Sequence, residues 1–140
     1  MRAPITLLVL GLLGCARAAG RARHEALPPG GVLITEERIQ KSGGHTAWEV
    51  LRREAPMLTF RENRNGQATA MGRRGQASIL LSDAPVVILD GVRVPDFRSL
   101  QLIPAETILS IYILSGIEGT TYYGTNAVSG VIVIRTKDGP

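Results

Sequence analysis

From Val32 onward the chain carries short apolar runs broken by turn residues, and the spacing of those runs predicts a series of small elements. Val32-Leu33-Ile34 reads as a strand. Thr35 suits the cap of a brief helix over Glu36 to Lys41, which Ser42-Gly43-Gly44 ends. Thr46-Ala47-Trp48-Glu49 has the form of a capping box, in which Thr46 accepts from the amide three residues on and Glu49 reaches back. Ala47, Val50, Leu51 and Glu54 follow at helical spacing, which turns Ala47, Val50 and Leu51 to the core. Pro56 closes this helix. Trp48 borders the apolar stripe and is read as packing at the core edge rather than holding a ligand.

Met57 to Phe60 predicts a strand, and the polar, glycine-bearing stretch from Arg61 to Arg74 reads as a loop or an irregular edge. Ala77 to Leu81 is apolar again, Ser82-Asp83 turns, and Pro85 opens a strand over Val86-Val87-Ile88-Leu89. Asp90-Gly91 separates this run from Val92-Arg93-Val94. That is a hairpin signal, because glycine accepts the positive φ of a type I′ turn. Asp90 is therefore a turn residue first and a contact residue second. Asp96 caps a short turn over Phe97 to Leu102, and Pro104 suits a first helical position with Glu106 in the first turn. Ile108 to Leu114 is apolar on both faces and predicts a buried strand ended by Gly116. Glu118 to Ala127 is a turn-and-helix region, and Val131 to Ile134 is the last strand, left by Thr136-Lys137-Asp138-Gly139. Strands and helices mix without a βα repeat, so the expected class is α+β: a small mixed sheet with short helices.

The amino terminus is of another kind. Met1-Arg2 is followed by the apolar run Ile5 to Leu13 and then by small residues, the layout of a secretory signal peptide. A spanning helix needs about 20 apolar residues, and Arg17, Arg21 and Arg23 interrupt any extension, so cleavage is expected. Leu12-Leu13-Gly14-Cys15 resembles the lipobox of bacterial lipoproteins. That resemblance implies cutting before Cys15, lipid attachment at its thiol, and, with Ala16 next, sorting to the periplasmic face of the outer membrane. Cleavage after Ala18 is the other reading and implies a soluble periplasmic protein. Cys15 is the sole cysteine, so no intrachain disulfide forms. Ala16 to Gly31 lacks an apolar period and ends in Pro28-Pro29-Gly30-Gly31, which reads as a tether. Its arginines either rest on anionic headgroups or stay solvated. The expected organisation is a signal peptide over 1–14, a tether over 15–31 and a domain over 32–140.

Composition narrows the function classes. With 140 residues, 44% of them hydrophobic and 20% charged, the chain supports one core. A large plugged barrel of about 22 strands, each of roughly 10 residues, does not fit. The net charge of +4 comes almost wholly from scattered arginines, Lys41 and Lys137 being the lysines. Such an excess attracts anionic lipid or nucleic acid weakly, and a basic surface module for either is the second function class. Nucleic acid is disfavoured, because no aromatics interleave the arginines. His24 and His45 lie far apart, without thiols or carboxylates at metal-ligand spacing. Neither a phosphate-binding Gly-Lys-Ser/Thr loop nor a Gly-x-Ser-x-Gly elbow occurs. Gly72-Arg73-Arg74-Gly75 can hold an anion, although a flexible turn is the plainer reading. No catalytic residue, metal or cofactor is expected.

Six pieces, in order, resemble the plug domain of TonB-dependent outer-membrane receptors, especially the glycan-uptake kind. Thr46-Ala47 to Leu51 with Ala55-Pro56 is similar to that family's first helix and proline. Arg74-Gly75 resembles its Arg-Gly motif, and Val87-Ile88-Leu89-Asp90-Gly91-Val92 its Asp-Gly hairpin. Ile103-Pro104 to Leu114 resembles the proline turn and strand that follow. Tyr123-Gly124-Thr125-Asn126-Ala127 and Gly130 to Lys137 are similar to its closing signature. The resemblance runs from about Leu33 to Gly139. It implies a non-catalytic binding module accessory to outer-membrane transport, with recognition through loops around Arg61 to Arg74 and Tyr122 to Asn126. The residues implied in partner binding are Arg73, Arg74, Asp90, Tyr122, Tyr123 and Asn126. There are departures. No barrel sequence follows within these 140 residues, so a separately encoded barrel or receptor is the expected partner. Ala16 to Gly31 does not resemble the family's segment for its energy-transducing partner. Ser115 stands where the family usually carries a base that, like Arg74, meets acidic groups of the barrel wall.

Overall fold

The computed structural model describes residues 29–75 and 84–139. The first strand, β1 (Val32–Thr35), leads directly into α1 (Glu36–Ser42), which Gly43 ends in the left-handed conformation at φ 66°. Thr35 occupies the cap position but makes no side-chain cap bond. Helix α2 (Ala47–Glu54) is capped as expected, Thr46 Oγ1 accepting from the Glu49 amide at 3.3 Å. The reciprocal half is shifted by one residue, for the Glu49 carboxylate accepts from the amide of His45 at 3.0 Å. Ala47, Val50 and Leu51 are fully buried. Trp48 is buried beside them, stacked edge-on against Phe60 with ring centres 5.0 Å apart. Its Nε1 donates to Glu62 Oε1 at 2.6 Å, and Arg52 donates to the same oxygen. The tryptophan is thus core packing with a polar handle.

The strand expected over Met57 to Phe60 is β2 (Leu58–Glu62), but the stretch from Arg61 read as a loop or irregular edge extends it and supplies its hairpin partner β3 (Ala68–Arg73), with Leu58 opposite Arg73. Asn63 builds its turn, Oδ1 accepting from the amides of Asn65 and Gln67. The inward positions of β3 are Ala68 and Met71, and Ala68 contributes too little apolar signal to announce a strand. A distant side chain also braces the hairpin: Gln101 accepts from the Ala68 amide at 2.9 Å and donates to the Gly66 carbonyl at 2.8 Å.

The expected Asp-Gly hairpin joins β4 (Val86–Leu89) to β5 (Val92–Val94), with Asp90 at φ 47° and Gly91 at φ 83°. Asp96 caps the short 3-10 helix Phe97–Gln101 by accepting from the Arg98 amide. Pro104 is not the first helical residue. It is extended, bridged to Thr46, and precedes a single 3-10 turn over Ala105–Thr107. The chain then enters β6 (Ile108–Leu114). Gly116 begins α3 (Gly116–Tyr123) rather than only ending the strand, so this helix starts before Glu118. A 3-10 turn, Thr125–Ala127, leads to β7 (Val131–Thr136).

Five strands form a mixed sheet in the order β1-β6-β7-β4-β5, with β4 and β7 parallel and the other pairs antiparallel. Its central strands are apolar on both faces because both faces are covered. Ile111, Ile113, Ile132, Ile134 and Val87 join α1, α2 and Leu100 in the larger core cluster. The alternate residues Tyr112, Leu114, Val131, Val86 and Ile88 form a second cluster with Ala127. Among the described residues the sheet stays open and does not close into a barrel. The architecture is α+β, as the pattern predicted. The signal peptide, Cys15, the tether as far as Pro28, the Ala77 to Leu81 run and the Ser82-Asp83 turn lie outside the described residues.

Candidate docking face

Helix α3 sits closer to its neighbours than a side-chain-bearing helix can. A Cβ on Gly116 would fall on the carbonyl oxygen of Val128, and one on Gly119 would lie 2.9 Å from the carbonyl oxygen of Ala127. These two glycines, three residues apart, point one side of the helix at the backbone of the 3-10 turn. Other α3 positions are pushed outward. Ile117 is 81% exposed, Tyr122 56% and Tyr123 43%, and the adjoining Val128 is 46% exposed.

Beside Ile117 and Val128 lies an open groove of about 620 Å³, walled on one side by Arg73, Arg74 and Gly75 at the end of β3. On the other side stand Ser115, Gly116, Ile117, Thr120 and Val128. Arg73 is half-buried, and its Nη1 lies 3.5 Å from where a Gly130 Cβ would stand; Arg74 is exposed. Neither guanidinium has a hydrogen-bond or ion-pair partner among the described residues. Ser115 caps α3 by position without a side-chain cap bond. The two guanidinium groups make the groove cationic, and a guanidinium fork pairs best with a planar carboxylate or phosphate.

Of the expected residues the groove holds Arg73 and Arg74, whereas Tyr122 and Tyr123, at the far end of α3, and Asn126, in the turn after it, are exposed and do not line it. Asp90 is elsewhere. It lies at the far end of β7, where its Oδ1 accepts from the Thr136 amide at 2.8 Å and its Oδ2 from the Thr136 hydroxyl at 2.7 Å. Both carboxylate oxygens are engaged within the chain. Ile117 and Val128 escaped the sequence reading. The signal that could have found them is Gly116-x-x-Gly119, which marks the inward side of α3 and so exposes Ile117. Among the described residues no three His, Cys, Asp or Glu side chains gather as metal ligands, and no helix is long and apolar enough to cross a membrane.

The family model of the TonB-dependent receptor plug domain matches residues 29–131. The TonB-dependent receptor P26 of Formosa agariphila is 34% identical over 74 residues, which is 53% of this chain and 8% of that receptor. Among solved structures, the RagAB peptide importer in its open-open state superposes with a TM-score of 0.60 at 20% identity, over 76% of this chain and 12% of that one. The siderophore receptor PirA from Acinetobacter baumannii gives 0.57 at 23% identity, over 79% of this chain and 17% of that one. At those identities the likeness is one of fold. The chain spans under a fifth of the length of each of these relatives. With most of its folded part inside the family model, the chain belongs to the plug-domain family of TonB-dependent receptors, transport-related domains of the outer membrane.

Proposed function

We propose that the chain is exported, anchored by lipid at Cys15 on the periplasmic face of the outer membrane, and works there as a non-catalytic plug module that docks against a receptor barrel. The observation that carries the docking reading is the groove just described, where the exposed Ile117 and Val128 face Arg73 and Arg74, which have no partner among the described residues. Isolated exposed apolar residues need no explanation, but Ile117 and Val128 together on the wall of a cationic groove mark an interaction surface. Arg73 and Arg74 meet carboxylates of the barrel wall, while Ile117, Tyr122, Tyr123 and Val128 supply the apolar contact. Ser115 leaves the groove one positive charge short of the pattern its family resemblance implies. The face then leans more on its apolar band than on ion pairs.

Two measurements test this reading. Intact-mass spectrometry of membrane-fraction protein is expected to give a chain beginning at Cys15 with acyl groups attached. A chain beginning at Met1 or Ala19 overturns the anchor. A photo-crosslinking residue at position 117 is expected to capture an outer-membrane barrel in native envelopes, whether that barrel lies on the same chain or another. Capture of soluble periplasmic proteins alone overturns the docking. The competing basic-surface reading predicts instead steeply salt-dependent binding to anionic vesicles or nucleic acid.

A further inference from the structure

The turn between β2 and β3 treats its two asparagines differently. Asn63 is fully engaged: its Oδ1 accepts from the amides of Asn65 and Gln67 at 3.0 and 2.9 Å, and its Nδ2 donates to Gln67 Oε1 at 2.9 Å. The Asn65 side chain is exposed and makes no hydrogen bond among the described residues. Asn65-Gly66 is also the only Asn-Gly pair in the chain. Gly66 is exposed at φ 75°, and a Cβ built on it would meet nothing within 4 Å. The backbone nitrogen after Asn65 thus belongs to the one residue type that has no Cβ to obstruct its approach to the side chain.

That placement has a chemical consequence. The Gly66 nitrogen can bond to Cγ of Asn65 and give up its proton, while the Cγ–Nδ2 bond breaks and Nδ2 leaves as ammonia. Water then opens the succinimide ring. Breaking the new bond to Cγ gives aspartate, and breaking the original peptide bond gives isoaspartate, with nothing oxidised or reduced in either case. The closed turn opposes the first step. The Gly66 N–H donates to the Asn63 carbonyl at 3.0 Å, and the Gly66 carbonyl accepts from Gln101 Nε2 at 2.8 Å. With Gly66 held on both sides, its nitrogen reacts from the opened turn, and the opened population sets the rate when opening and closing are fast.

We propose that Asn65 is a site of spontaneous deamidation held in check by the Gln101 brace, and that its conversion loosens the hairpin irreversibly. Either product adds a negative charge at the hairpin tip. Isoaspartate also adds a carbon to the backbone where Asn63 Oδ1 spans the Asn65 and Gln67 amides, and that spacing is then lost. Gln101 reads the same stretch through Gly66 and Ala68, so the brace goes with it. The loosened strand β3 ends in Arg73, on the wall of the groove. The modification rests on the chemistry of the tip and holds whether or not the groove docks a barrel.

The test is prolonged incubation of the full chain, folded and in urea, followed by mass spectrometry of the peptide that carries Asn65. Labelling with an isoaspartyl methyltransferase counts the isomerised product. Conversion is expected to be fast in the unfolded chain and slow in the folded one, while Asn126, which precedes Ala127, keeps its amide in both. Gln101→Ala is expected to speed conversion in the folded chain by about tenfold, the order set by losing a hydrogen bond or two. Should that variant unfold, Gln101→Asn, too short to reach both Gly66 and Ala68, repeats the comparison. Folded chain that has already converted is expected to show faster hydrogen exchange at Ala68 than unconverted chain. An Asn65 that keeps its amide in the unfolded chain overturns the site, and equal rates in folded and unfolded chain overturn the protection. Conversion of the Gln101 variant at the parent rate overturns the brace, and unchanged exchange at Ala68 after conversion overturns the loosening.

Discussion

Asp90 does two jobs with one side chain. Its backbone adopts φ 47°, which Asp tolerates better than most residues. Its carboxylate closes on the amide and hydroxyl of Thr136, tying the β4–β5 turn to the end of β7. Gly91, its partner in the turn, is at φ 83°, with nothing within 4 Å of a Cβ built there. Replacing it therefore tests the backbone alone. Gly91→Val is expected to cost about 1–2 kcal/mol or somewhat more, the left-handed conformation being worst for a branched side chain. Thermal unfolding reads this as a fall of several degrees, since about 1 kcal/mol shifts the midpoint by roughly 4–8 °C in a domain of this size. Gly91→Asn, which tolerates that conformation, is expected to recover most of the loss. An unchanged melting temperature for the valine variant refutes the turn geometry. At Gly116 the same chemistry acts for the opposite reason: no positive φ is involved, but the Val128 carbonyl occupies the space. Gly116→Ala is expected to lose about 1–3 kcal/mol by overpacking, measured as the shift of a urea midpoint.

The β2–β3 hairpin depends on a residue far from it in sequence. Gln101, on the 3-10 helix, offers the Ala68 amide an acceptor and the Gly66 carbonyl a donor, as a neighbouring strand would. Gln101→Ala leaves the amide of a buried residue without its partner, at about 1–3 kcal/mol. Hydrogen exchange at Ala68 is expected to accelerate by about tenfold while the amides of β6 and β7 stay protected, because local opening draws on the weakest unit first. Uniform acceleration across the sheet contradicts that assignment. The hairpin also shows where sequence patterning runs out. β4, β6, β7 and α2 were readable because continuous apolar runs or a 3.6-residue stripe leave a strong periodic signal. β3 is Ala-Thr-Ala-Met-Gly-Arg, whose inward residues are small and whose support comes from Gln101, so nothing local announces it. The candidate face divides in the same way. Arg73, Arg74, Tyr122, Tyr123 and Asn126 were legible as residue types in polar or glycine-rich stretches. Ile117 and Val128 carried no signal of their own in the pattern, because the two glycines of α3 determine which side faces inward and leave Ile117 exposed.

At the scale of the whole molecule, the two-sided core leaves the outer side of α3 among its exposed apolar positions. The larger cluster is covered by α1, α2 and the 3-10 helix, and the smaller by α3 and its following turn. What α3 does not bury, it presents. If that surface seats the module against a barrel, its apolar and charged parts act at different stages of association. Arginines at a rim steer the encounter and set its salt dependence, whereas buried apolar contacts set how long the complex lasts. With the barrel identified by crosslinking from position 117, Arg73→Gln with Arg74→Gln is expected to slow association and flatten its dependence on ionic strength. Ile117→Ser with Val128→Ser is expected to leave association nearly unchanged and to speed dissociation by about tenfold, in line with the loss of a few buried apolar side chains. Because Ile117 is largely exposed in the free domain, its replacement leaves the melting temperature unaltered, and a fall in affinity is then not a folding defect. Should the serine pair dissociate at the parent rate, the barrel touches some other part of the sheet, and the cationic groove alone carries the contact.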